Sequence, residues 1–125
     1  VKYYYFNSYV QTKEYDKAIL AYNEFLLADP EDTSILYGIA TIYLNNLKDY
    51  TTANDYYERI IALAPEDAWA HLNSAVCLSG LNQDKAACAA LKKSIDLDSE
   101  MLYEISYYDE LSRLKETTCY REIFQ

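Results

Sequence analysis

Three alanines set the frame of this chain: Ala18, Ala53 and Ala87 recur roughly every 34 residues, the spacing of stacked helix pairs. The middle copy, Tyr50 to Pro65, reads as an amphipathic helix closed by a proline. Upstream, Tyr15-Asp16-Lys17-Ala18 is followed by Tyr22, Phe25, Leu26 and Pro30. Downstream, Asp84-Lys85-Ala86-Ala87 is followed by Leu91, Ser94, Ile95 and Ser99. A helix pair of this kind is apolar on too many sides to bury itself alone, so neighbouring pairs must stack. Small residues let the helix axes approach, and a Tyr or Leu one turn later fills the next gap.

The other helices follow from this frame. Residues 1–11 read as a helix with Tyr5, Phe6 and Tyr9 on one face, and a break falls near Thr12-Lys13-Glu14. The second helix covers 15–28. The third covers 31–46, with Asp29 as its cap, Pro30 in its first turn and a stripe of Leu36, Ile39, Ala40 and Tyr43. Asn45 to Asp49 is a polar turn, and Asp49 caps the fourth helix. The fifth, 66–79, carries Trp69, Leu72, Ala75, Val76 and Leu78; the sixth covers 83–97. Beyond Ser99 the pattern changes to three short helices, marked by Met101, Leu102 and Ile105, by 109–114, and by Tyr120, Ile123 and Phe124. A stack of pairs exposes an apolar face at its end, and this segment is expected to cover it. The expected organisation is one domain, 1–125, with units of about 1–32, 33–67 and 68–99 and a closing cap of 100–125.

Composition agrees with a helical stack. Two glycines and two prolines in 125 residues disfavour a many-turned β fold. Fifteen tyrosines suit interlocking helices, where large flat side chains fill the gaps. The net charge of −9 argues against nucleic acid, which needs clustered Lys and Arg. Most acids lie between helices, where they cap helix starts and offset the dipole. Cys77, Cys88 and Cys119 form no CxxC. They read as separate buried thiols, not as a disulfide framework or a zinc site. That reading favours a reducing compartment, the cytoplasm before a secreted location. No stretch is long and apolar enough to cross a membrane, and no signal peptide is visible. The sequence opens at Val1 in mid-pattern, as a processed chain or a piece of a longer protein does, so a missing targeting signal excludes nothing.

These residues resemble the tetratricopeptide repeat. Its first helix carries bulky, small and aromatic positions, and its second carries Ala, an aromatic and Ala before Pro. The middle unit shows Leu36, Ile39, Ala40 and Tyr43, then Tyr50, Ala53, Tyr57, Ile60 and Pro65. The first keeps Tyr9, Tyr15, Ala18, Tyr22 and Pro30; the third keeps Ala75, Leu78, Ala87 and Leu91, with Ser99 in place of proline. Phe6 departs from the pattern where a small residue is usual, and Ser94 replaces an alanine. The middle unit has one extra residue, placed most simply in the turn around Lys48. The resemblance implies an all-α, right-handed superhelix (an α-solenoid) of about three such pairs plus C-terminal capping helices.

The same resemblance implies a concave side lined by the first helix of each pair. Tyr3, Asn7, Tyr37, Thr41, Asn45, Trp69, Leu72, Asn73 and Val76 take the matching places. Asparagine pairs with peptide backbone through donor and acceptor together, and Tyr and Trp are favoured anchors. The expected function is a non-enzymatic scaffold or adaptor holding a peptide or extended partner segment. The alternative is a structural module that self-associates or stacks on further repeats, with a homodimer through the aromatic run Tyr3-Tyr4-Tyr5-Phe6. Chaperone-binding members of the family hold a C-terminal carboxylate with cations and asparagines. The matching positions here, Tyr3, Asn7, Gly38, Trp69 and Asn73, agree only at Asn7 and supply no cation, so an apolar or basic ligand fits better. The single histidine, His71, occupies a packing position, and no catalytic arrangement, phosphate loop, cofactor site or metal site is expected.

Overall fold

The computed structural model describes residues 8–124. The positions expected at Tyr3, Tyr4, Tyr5, Phe6 and Asn7 therefore lie outside the described residues. After a helical segment over 8–11, the chain runs through α1 (Tyr15–Ala28) and α2 (Thr33–Thr41), which continues into a π turn (Ile42–Asn46). It then forms α3 (Tyr50–Leu63), α4 (Ala68–Gly80), α5 (Asp84–Leu97), a 3-10 helix (Ser99–Tyr107), α6 (Asp109–Leu114) and α7 (Thr118–Ile123). There is no strand among the described residues. From α1 to α5 each helix packs on its sequence neighbour, α2 on α3 and α4 on both α3 and α5, which makes an all-α solenoid.

The alanine frame acts as close contact between helices. Ala18, Ala53 and Ala87 are completely buried, and the tyrosines one turn later, Tyr22 and Tyr57, lie in the same core. Ser94 also points inward, and its hydroxyl donates to Ala68 O at 2.7 Å, so the change from alanine ties the end of α5 to the start of α4. Glycine fills the tightest approaches. A β-carbon on Gly38 would lie 2.5 Å from the Tyr22 ring, and one on Gly80 would lie 2.6 Å from the Tyr50 ring.

Helix starts differ from the sequence expectation by two residues. α2 begins at Thr33 with Asp32 as its cap, accepting from Ile35 N, while Asp29 and Pro30 remain in the preceding turn. α4 begins at Ala68, capped by Asp67. An aspartate in extended backbone satisfies a free N–H of the first turn, whereas proline only tolerates that position.

The extra residue of the middle unit is resolved in form. In the first and third units a hydrogen bond closes the turn over five residues, Glu14 N to Tyr9 O (2.8 Å) and Gln83 N to Leu78 O (2.9 Å). The corresponding bond in the middle unit, Asp49 N to Tyr43 O (2.8 Å), spans six. The end of the first helix widens into the π turn to hold the added residue, with Leu47 N bonded to Ile42 O. The left-handed residue of each turn is thereby kept in register: Lys13, Lys48 and Asn82.

The closing segment packs on α4 and α5 through Met101, Ile105, Leu111 and Leu114, all buried. One expectation is corrected here. Cys88 and Cys119 are joined by a disulfide between α5 and α7, with Cα atoms 6.1 Å apart, inside the span a disulfide bridges. Cys77 alone is a free buried thiol, and burial pushes it up to about 12, which keeps it protonated. The cysteines therefore lend no weight to a reducing compartment.

Candidate functional site

The first helices of the middle and third pairs are unusual in composition. From Thr33 through Asn46, and again from Ala68 through Gly80, there is no Asp, Glu, Lys or Arg, in a chain that is 25% charged. Among the described residues, charge is confined to the second helices, the turns and the closing segment. The exposed part of these first helices is a neutral surface of aromatic, amide and hydroxyl groups.

Asp67 organises this surface. Its Oδ1 accepts from the backbone N–H of Trp69 (3.1 Å) and of Ala70 (3.3 Å), which starts α4. Its Oδ2 accepts from the Tyr37 hydroxyl at 2.6 Å. One capping carboxylate thus fixes an aromatic of α2 against the first turn of α4. Burial raises the Tyr37 hydroxyl well above the usual phenol range, and the bond to Asp67 adds to it, so Tyr37 remains a donor. The Tyr37 ring also meets Tyr57 edge-on, with centroids 6.1 Å apart. Trp69 is 43% exposed, which leaves a large part of the indole free for contact.

Of the residues expected on this face, Tyr37 and Asn73 are half-buried, and Thr41, Asn45 and Trp69 are exposed. Leu72 and Val76 are corrected: they are 0% and 1% exposed and belong to the core cluster. The closing segment packs along α4, and Val76 is left as the floor of a pocket rather than a contact surface. Tyr3 and Asn7 fall outside the described residues. His71 is half-buried, and its Nε2 lies 2.8 Å from Pro65 O, a contact within the α3–α4 turn.

The sequence reading missed the other wall of that pocket. Asn45, Lys48 and Val76 face Tyr107, Tyr108, Asp109 and Glu110 across it. The Tyr50 hydroxyl donates to Glu110 Oε2 at 2.8 Å, and Lys48 Nζ lies 3.5 Å from the same oxygen. Ser79 Oγ donates to Glu110 O at 2.6 Å, and Arg113 donates to Ser79 O and bridges to Asp84. For Glu110, burial alone would raise the carboxyl; its own backbone, Tyr50 and Lys48 outweigh burial and hold it below the usual value. Burial, reinforced by Glu110, pushes Tyr50 up to about 12. No group of His, Cys, Asp or Glu among the described residues could hold a metal ion, and none of the described helices is long and apolar enough to cross a membrane.

Comparison with known proteins gives this architecture its family. The tetratricopeptide repeat profile matches residues 6–68, 63 of the 125 residues. The chain belongs to the tetratricopeptide repeat family. No curated protein sequence matches it significantly. Among solved structures it is similar to MamA from Desulfovibrio magneticus RS-1, at 23% identity and a TM-score of 0.77, over 98% of this chain and 68% of that one. It is also similar to the first tetratricopeptide domain of human RPAP3, at 21% identity and a TM-score of 0.72, over 100% of this chain and 88% of that one. The first such domain of Spaghetti (RPAP3) bound to the HSP90 peptide SRMEEVD gives 21% identity and a TM-score of 0.71, over 96% and 85%. At these identities the likeness concerns the fold. Within the tetratricopeptide frame, the aromatic pair fixed by Asp67 and the pocket beside Glu110 belong to this chain's own side chains.

Proposed function

We propose that this tetratricopeptide domain is a non-enzymatic interaction module that holds an extended peptide segment of a partner protein along α2 and α4. The observation that carries the reading is the absence of any charged residue from α2, its π turn and α4 while they expose Thr41, Asn45 and Trp69. A face meant only to stay solvated would carry the charges that the second helices carry. Tyr37, Trp69 and Asn73 supply anchors and backbone partners at low entropic cost. A structural neighbour holds the peptide SRMEEVD, which is rich in acids. This chain, with a charge of −9 and no cation on α2 or α4, suits an apolar or basic segment instead. In this reading residues 1–125 work as one unit of about three repeats, 1–32, 33–67 and 68–99, and a closing cap.

The test is selection from a displayed library of random linear peptides. Wild type should enrich peptides that the variant Trp69→Ala, Asn45→Ala, Asn73→Ala, verified as folded by circular dichroism, binds about tenfold or more weakly, as loss of about 1.4 kcal/mol of contact requires. Equal binding of the enriched peptides by both proteins would remove the site from this face.

A second reading, self-association, draws on a different surface. Leu20 (63% exposed) and Leu27 (84% exposed) flank a pocket with Leu26 and Arg59 of the second helices and Pro30 of the turn after α1. Light scattering should then show mass rising with concentration, and Leu20→Glu with Leu27→Glu should abolish the rise; a wild type that stays monomeric across the range removes this reading.

A further inference from the structure

The pocket at the end of the groove has walls from two parts of the chain far apart in sequence. It encloses about 340 Å³ between the end of the first helix of the middle pair, which supplies Asn45, and the junction of the 3-10 helix with α6. Val76 closes the bottom. Tyr107 stands at the rim with 78% of its surface exposed, an aromatic face with nothing to bury it. The Glu110 side chain is only 12% exposed, so its carboxylate acts in a shielded setting.

We infer that this pocket is a subsite for one basic side chain, Arg before Lys, of the bound peptide. The chain already places a cation there. Lys48 reaches Glu110 Oε2 from 3.5 Å, beyond a good charged hydrogen bond, while its own side chain stays 57% exposed. It is a loose occupant of a field that favours positive charge. Tyr50 holds the carboxylate still by donating to that same oxygen. A guanidinium has what Lys48 lacks: a planar fork that can meet a carboxylate with two N–H groups, and a flat face that stacks on an aromatic such as Tyr107. Asn45 and Asp109 line the same pocket; an amide oxygen can accept a further N–H, and a second carboxylate adds negative charge. The inference rests on the groove reading for its biological meaning, since the pocket continues the line of Thr41 and Asn45.

The binding chemistry can be tested without the whole peptide. Acetyl-arginine methylamide and its neutral isostere, acetyl-citrulline methylamide, are titrated into ¹⁵N-labelled protein, and backbone amide shifts are followed. The arginine probe should move Asn45, Tyr107, Asp109 and Glu110 in a saturable way, and the citrulline probe should not. Glu110→Gln, which still accepts from Tyr50, should weaken the arginine probe about tenfold. Lys48→Asn should tighten it about threefold, because the competing ammonium is gone and asparagine suits the left-handed backbone at that position (φ 52°). Tightening on removal of a surface lysine is not expected of a residue with a merely structural role. Equal response to both probes, no response to either, or an affinity unchanged in both variants would overturn the subsite. Peptides enriched on wild type and lost on the Trp69 variant would in that case still leave the groove in place, so the two readings fail separately.

Discussion

Tyr57→Ala should lower the unfolding free energy by about 3–5 kcal/mol, read as a shifted midpoint at unchanged slope in urea. Tyr57 is 1% exposed and is the largest fully buried side chain among the described residues. It lies one helical turn after Ala53, where α3 receives packing from α2 on one side and α4 on the other. Removing the ring leaves a cavity that neither neighbour can fill, because both helices are already held by buried alanines and by the Tyr37–Asp67 bond. A domain of this size is stable by about 5–15 kcal/mol, so the loss is a large share of the total. Tyr57→Phe separates volume from the hydroxyl: with the ring kept, it should cost about 1 kcal/mol. A loss below about 1 kcal/mol for the alanine variant would mean that the middle pair does not carry the core.

The same residue shows what the sequence makes legible. Ala53, Tyr57, Ile60 and Pro65 recur in kind at Ala18, Tyr22, Phe25 and Pro30, and a repeated pattern can be read without knowing any contact. Exposed neutral positions on the first helices were legible for the same reason: Thr41, Asn45 and Trp69 fall where the period places them. Features made by distant residues meeting were not legible. Asp67 reads as a helix cap from its neighbours, but its bond to Tyr37 joins positions 30 apart. Leu72 and Val76 carry a groove position in the repeat register, yet both are buried, and Val76 lines a pocket whose other wall is the irregular segment after Ser99. That segment includes a 3-10 helix, with three residues per turn, so a helical period does not say that Tyr107 will face outward. The added residue of the middle unit could be counted, but its accommodation as a π turn is a choice of backbone geometry that composition does not express.

Reduction of the Cys88–Cys119 disulfide should cost about 3–4 kcal/mol of stability, the chain entropy returned to the unfolded state when a loop of this length is opened. The bond joins positions 31 apart and fastens α7, a six-residue helix, to α5. So short a helix has no stability of its own. Its Tyr120, Ile123 and Phe124 are only half-buried against the core, and Tyr120 and Phe124 pack on each other with centroids 4.3 Å apart. Without the covalent link these contacts must hold α7 unaided, and hydrogen exchange of residues 118–123 should quicken far more than that of α3. Cys119→Ser, which keeps the small polar side chain beside Thr117, should reproduce the reduced state and become insensitive to reductant. Thiol labelling in denaturant checks the premise. Unreduced protein should take one label, at Cys77, and reduced protein three. Three labels without reductant would show the bond to be absent, and stability that is equal with and without reductant would show that packing alone closes the end of the solenoid.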